Sequence, residues 1–340
     1  MAFFNSILKT KFIGVLTTSF LLFGCSGQSE LESATADYAE RLSRVLNTEI
    51  KIAQPVLTLA YPEAPERALN IPEKTLKLSE FYAINNCPLA PLIAQRNTAL
   101  GKVETPSRRY VYELDVLNAL AICATQVDES VATVQQKLTE LTTHKQSQLP
   151  MVRAKLLHDS EAIRLGTGFS REFLSSDDQK RSQGYTETLL ALEFLSSLKS
   201  NTKVTYKDLE THLESLENHR LLADMWRTQM YISETLPIIT AALEQYSSQM
   251  SCTVQTTEKT KILNNILTMF FINKIQDIGG LLNAYHYQFK PLIAKLLEEP
   301  YLAASVKQYW HAQTHDEFVR YQITIKEHVK AWQGILGQCK

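Results

Sequence analysis

Between Cys87 and Cys123 the chain reads CPLAPLIAQRNTALGKVETPSRRYVYELDVLNALAIC, and Arg96, Asn97, Arg108, Arg109, Tyr112 and Glu113 supply its long polar side chains. A guanidinium is a planar fork of donors that matches a carboxylate or a phosphate, so three arginines beside an amide and a phenol form a set able to hold an anion. The plainer reading is an Arg–Glu and Asn network that fixes the turn between two helices near Leu100-Gly101. Both readings need the same scaffold. The residues lie on either side of that turn, and a helical hairpin has to bring them together.

Other constellations are weaker. His311 and His315 have the i,i+4 spacing of a helical metal pair, but a zinc-protease helix carries glutamate after its first histidine, and Ala312 stands there. Thr314-x-x-Glu317 reads as a capping box, which would start a helix at Thr314 and take His311 off its face; the pair then reads as surface histidines. Gly166-Thr-Gly168-Phe-Ser170 fits neither G-x-S-x-G nor G-x-G-x-x-G. Asp177-Asp178 and Glu298-Glu299 are adjacent pairs that point apart on any regular element, unlike the carboxyls that face each other across a sugar in a glycosidase. No catalytic residue, metal or cofactor is expected from these patterns.

The amino terminus carries chemistry of another kind. Lys9 and Lys11 close a short positive segment, and Phe12 to Phe23 is uncharged, which is the layout of a secretory signal peptide. Leu22-Phe23-Gly24-Cys25 resembles the bacterial lipobox, with Phe23 bulkier than the usual occupant. The resemblance implies cleavage after residue 24, diacylglycerol on the Cys25 thiol and an acyl chain on its new amino group. Several buried acyl chains at about 0.8 kcal/mol per CH₂ would make the attachment essentially permanent. Ser26 occupies the place where aspartate favours inner-membrane retention, so the periplasmic face of the outer membrane is the expected location. Residues 25–30 then form a tether reaching at most about 18 Å at ~3.6 Å per residue.

Four further cysteines, Cys87, Cys123, Cys252 and Cys339, suit an oxidising compartment and allow three pairings. Helical-hairpin geometry favours Cys87–Cys123, and Cys252–Cys339 would tie the last helix to the segment before Thr253. Without a CxxC spacing, neither a four-cysteine zinc site nor a redox pair is supported.

The positioning elements read as helices. Residues 31–50 repeat apolar positions at three- and four-residue steps, whereas 51–75 hold Pro55, Pro62, Pro65 and Pro72 and read as an extended connector. From residue 76 to 340 a single helical domain is expected. Thr105-Pro106 opens a helix to about Thr125, Asp128 caps another to about His158, and further helices cover 182–199 and the run from Thr205. Pro237 should kink or end that run. The stretch from Lys259 to Leu297 is apolar around much of its circumference, and Gly279-Gly280 should bend it or admit a neighbour. Low glycine (11 of 340 residues) and the lack of strand alternation make the fold class all-α: a bundle of long helices behind a Pro-rich N-terminal connector.

A net charge of −1 with no block of basic residues excludes nucleic acid as a partner and leaves the membrane to be reached through the lipid anchor. The Cys87 segment, with its Leu-Ile-Ala-x-Arg-Asn, Leu-Gly-Lys-Val, Pro-Ser-x-Arg and Tyr-Glu-Leu runs, resembles a family of gammaproteobacterial lipoproteins known as a domain of unknown function. The resemblance extends over nearly all the mature chain and implies no activity. The expected role is a non-enzymatic binding or scaffold protein of the cell envelope, with an envelope protein or peptidoglycan as partner. The alternatives are an envelope-acting enzyme with its site near the Cys87–Cys123 hairpin, and a small-ligand carrier.

Overall fold

A computed structural model describes residues 29–53, 59–84, 86–98, 104–126, 132–175, 178–199 and 203–338. The signal segment, Cys25, the turn at Leu100-Gly101, Asp128 and Cys339 lie outside them. The described residues contain no β-strand, and none of their helices is long and apolar enough to cross a membrane.

Helix α1 (Glu30–Leu46) starts on a capping box. The Ser29 hydroxyl accepts from the Glu32 amide at 3.2 Å, and the Glu32 carboxylate takes the Ser29 amide at 3.1 Å. Its stripe of Leu31, Ala34, Tyr38, Leu42 and Leu46 is buried, so α1 is part of the core. Among its described residues the proline-rich connector is irregular apart from a 3-10 turn at Ala64–Arg67. Buried Arg67 pins it down by pairing with Asp159 and donating to the carbonyl of His158 at 2.6 Å.

The chain then builds α2 (Leu78–Ala83), α3 (Leu89–Arg96), α4 (Pro106–Gln126) and α5 (Ala132–Asp159). As expected, Thr105 caps α4, its hydroxyl accepting from the Arg108 amide at 3.3 Å. After these come α6 (Glu161–Thr167), α7 (Asp178–Ser197), α8 (Tyr206–His219), α9 (Leu221–Gln249), α10 (Val254–Ile266), α11 (Asp277–Leu297), α12 (Ala304–His311) and α13 (Glu317–Gln338). Two π-helical segments, Leu267–Gln276 and Ala312–Asp316, join α10 to α11 and α12 to α13 without a break.

Several sequence expectations change here. The run from Thr205 is two helices, because Arg220 adopts a left-handed φ of 47° between α8 and α9. Pro237 neither ends nor interrupts α9, which packs along α13 and forgoes one helical hydrogen bond at that position. Thr314 does not start a helix: its hydroxyl bonds back to the Trp310 carbonyl at 2.6 Å inside a continuous helix, and His311 stays on the same helix as His315. The stretch from Lys259 is less apolar all round than its composition suggests, since Ile262, Met269 and Ile272 are exposed. Gly279 does admit a neighbour, because a Cβ there would lie 2.6 Å from the Tyr321 hydroxyl, which donates to the Gly279 carbonyl at 3.1 Å.

Buried side chains form two separate clusters. The larger, here called the body, joins α1, α6 to α13 and the ends of α4 and α5 nearest them. Two groups of polar side chains inside it are paired. Arg153 on α5 makes a two-pronged contact with Glu299, both bonds 2.8 Å, with both residues buried. His328 on α13 meets Thr240 at Nδ1 and Tyr38 at Nε2, each at 2.8 Å, and the Trp332 indole donates to the Tyr38 oxygen at 2.7 Å. The Thr240 proton goes to the Leu236 carbonyl, so Nδ1 of His328 carries the hydrogen and Nε2 accepts from Tyr38. This is a neutral imidazole, and burial holds its pKa down to about 3.

The smaller cluster, the arm, has nine buried residues: Ile84, Cys87, Leu89, Val116, Ala119, Leu120, Cys123, Leu138 and Leu141. It lies between the distal halves of α4 and α5 and the short helices α2 and α3. A Cys87–Cys123 disulfide with Cα atoms 5.4 Å apart fastens α3 to α4, as the hairpin reading expected. Cys252 is also disulfide-bonded. Its sulfur lies 3.3 Å from the carbonyl oxygen of Gln338, one residue before Cys339.

Candidate functional site

The capped start of α4 fixes the phase of its faces. From Arg109 the residues Tyr112, Val116 and Leu120 follow at steps of three, four and four, so they form one stripe along the helix. On α3 the positions Leu89, Ile93, Arg96 and Asn97 face that stripe, and Leu141 and Lys145 meet it from α5. The segment from Glu73 to Phe81 closes the remaining side. Together they line a cleft of about 490 Å³, within the range of small-ligand sites.

The cleft has two ends of different chemistry. Leu76, Phe81, Leu89, Ile93, Val116, Leu120 and Leu141 make one end apolar. At the other, Arg96 and Arg109 approach the Tyr112 ring at 6.0 and 5.8 Å, and Lys145 lies beside them. Glu113 sits behind Arg109 and is 1% exposed; it meets Arg109 at 2.5 Å and Lys145 at 2.9 Å. Glu104 pairs with Arg96 at 3.1 Å. The exposed Glu73 is only loosely engaged, 3.8 Å from Arg96 and 3.9 Å from Arg109. Formal charge at this end is four cations (Lys74, Arg96, Arg109, Lys145) against three carboxylates (Glu73, Glu104, Glu113), which leaves it positive. Burial, reinforced by the Glu113 charge, raises the Tyr112 phenol to about 12, so it remains a neutral hydrogen-bond donor.

Of the six polar residues singled out in the sequence, Arg96, Asn97, Arg109 and Tyr112 line the cleft and Glu113 supports it from beneath. Arg108 does not belong. One residue is about 100° of helix, which turns Arg108 away from Arg109 and onto the Tyr206 ring of α8 at 4.5 Å. Sequence reasoning missed Lys145, Glu73 and Glu104. Lys145 carries a weak signal, standing four residues after Leu141 on the face that α5 turns to the cleft. Nothing local marks Glu73, which arrives only when the connector folds back over α3 and α4.

Other candidates have structural partners. His212 stacks on Phe194 at 4.2 Å, and His219 bonds to Glu187 at 2.9 Å. Ser170, in the segment that resembled no nucleophile motif, is buried and donates to Asp224 at 2.5 Å, fixing the loop before α7 against α9.

Neither a curated protein nor a solved structure matches the chain. A family model described as a protein of unknown function, DUF3080, matches residues 35–340, and with that span the chain belongs to this family.

Proposed function

We propose that this protein is an exported, lipid-anchored binding protein of the bacterial envelope, and that the arm cleft holds an amphipathic anion. The head group is taken by Arg96, Arg109 and Lys145, and the apolar portion lies between α2, α3, α4 and α5. The observation that carries this reading is the convergence of those three cations at one end of a cleft whose lining is otherwise a mixture of apolar and neutral polar side chains with Lys74 and the loosely held Glu73. Guanidinium, ammonium, amide and phenol groups are hydrogen-bond donors suited to a carboxylate or phosphate. Glu73, exposed and at long range, is the group an incoming anion displaces. The signal segment, the lipobox resemblance at Cys25 and the Cys87–Cys123 disulfide support export and the periplasmic face of the outer membrane. A binding role fits this site better than a scaffold role because the cleft is concave and chemically two-ended.

Calorimetry with dodecyl phosphate below its micelle concentration tests the cleft, with dodecyl maltoside as the uncharged comparison. One dodecyl phosphate per chain is expected. Arg96→Gln should weaken it about tenfold or more, the worth of one charge-assisted hydrogen bond, and Glu73→Gln should tighten it. Equal binding of the maltoside, or indifference to Arg96→Gln, overturns the assignment; hydrolysis of the probe would revive the enzyme reading. Mass spectrometry of the native amino terminus should find Cys25 acylated, and an unmodified Met1 would remove the anchor.

A further inference from the structure

His311, His315 and Asp316 come together on the surface of the body, far along the chain from the arm. The reason is the π-helical turn Ala312–Asp316, in which the Glu317 amide reaches back five residues to the Ala312 carbonyl. In an α-helix the residue five positions on lies about 140° round from the first, on a different face. A turn closed by i→i+5 bonds holds roughly 4.4 residues, so the fourth and fifth residues on straddle the first within about 50°. The turn therefore keeps His315 beside His311 and swings Asp316 round to join them. The two imidazoles stack with centroids 5.1 Å apart. The Asp316 carboxylate reaches both, with Oδ1 2.9 Å from Nδ1 of His315 and Oδ2 3.7 Å from Nδ1 of His311. One ligand atom from each residue falls within 4.8 Å of the others.

The turn is held from the interior. Gln229 on α9, fully buried, donates its side-chain amide to the main-chain carbonyl of Gln313 at 2.7 Å. Thr314, also buried, bonds back to Trp310. An irregular turn that core groups support and that delivers three ligating side chains to solvent is the arrangement expected of a built site.

We propose that His311, His315 and Asp316 form a surface site for one divalent transition-metal ion of the zinc class, assembled by the π turn. Two donors each about 2.0–2.1 Å from a tetrahedral ion are about 3.3 Å apart, and the two Nδ1–carboxylate distances lie on either side of that value. Two imidazoles and one carboxylate suit zinc better than magnesium or calcium, which prefer all-oxygen shells. All three side chains are more than half exposed, so a fourth position stays open to water or to a donor from another molecule. On binding, the hydrogen on Nδ1 of His315 moves to Nε2 of the same ring by exchange through solvent, and the Nδ1 lone pair so freed becomes the bond to the metal.

The test is Zn²⁺ titration of the untagged, chelator-stripped full chain, with Co²⁺ absorption as a reporter of coordination. One ion per chain is expected. His315→Ala and Asp316→Asn, both at exposed positions that leave the fold intact, should each weaken binding about tenfold or more. Gln229→Leu touches no ligand, yet it should lower affinity and alter the Co²⁺ spectrum by releasing the turn. Absence of one-to-one binding, or an affinity unchanged in the His311→Ala/His315→Ala double variant, overturns the proposal. Full retention in Gln229→Leu would overturn the role given to the turn.

Discussion

Helix α4 passes through both regions of the molecule and allows a direct comparison. Near its start, Tyr110 and Leu114 are sealed into the body, with the Tyr110 hydroxyl bonded to the Leu198 carbonyl at 3.1 Å. On another face of the same helix, Tyr112, Val116 and Leu120 border the cleft of the arm. The body surrounds its helices on several sides and pairs both ring nitrogens of buried His328 and the Arg153–Glu299 ions. The arm covers its helices with two short pieces, α2 and α3, and leaves a hollow between them. Nine buried residues make a small core with little surplus over chain entropy, and the Cys87–Cys123 disulfide adds a covalent constraint to it. An open cleft keeps surface unburied, and another source of stability has to hold the region around it.

The largest effect should come from breaking the buried pair of the body. Glu299→Ala leaves the Arg153 guanidinium enclosed without a counter-charge and should cost about 3–5 kcal/mol in urea unfolding of the whole chain. A loss below 1 kcal/mol would mean that water reaches Arg153 and that the body is looser than its packing indicates. Next comes the arm. Replacing Cys87 and Cys123 together by serine should cost about 2–4 kcal/mol locally. Hydrogen exchange should accelerate in α2, α3 and the distal half of α4 while α9 and α13 keep their protection. Acceleration everywhere would show that body and arm unfold as one unit, and the contrast between them would dissolve.

Acid should separate the regions by a smaller amount. His328 titrates near 3 in the folded body and near 6.5 once unfolded, so the unfolded chain binds the extra proton first. Its contribution is intact above pH 6.5 and is lost progressively as pH falls toward 3, on the order of 2 kcal/mol by pH 5. Melting should therefore move down between pH 7.5 and 5, and His328→Gln should flatten that slope. An unchanged slope in the variant would remove His328 as its origin.

Much of the architecture is legible in the sequence because it is written in local steps. The start of α4 is read from Thr105-Pro106, the buried face of α1 from three- and four-residue spacing, and the cysteine staple from the hairpin it spans. The cationic end of the cleft is partly visible for the same reason: Arg109, Tyr112 and Glu113 are neighbours on one helix, and Arg96 lies just across the turn. Arg108 was misplaced because composition shows a cluster while helix phase decides which members face inward. Lys145 and Glu73 depend on how α5 and the connector dock, which no local pattern encodes. The π turn is the clearest case. Thr314 and Glu317 satisfy a capping pattern, yet Gln229, more than eighty residues earlier, supplies the bond that favours a widened turn over a helix start.

The Tyr38–His328 contact joins residues 290 positions apart, the first described helix to the last. Pairings of such long range carry the largest closure cost and form late. Until α13 is made and in place, the Tyr38 hydroxyl has no imidazole to meet and Trp332 has no phenol. A chain emerging from synthesis thus stays open until α13 has been made, and removal of α13 would leave the whole body without the strap that closes it.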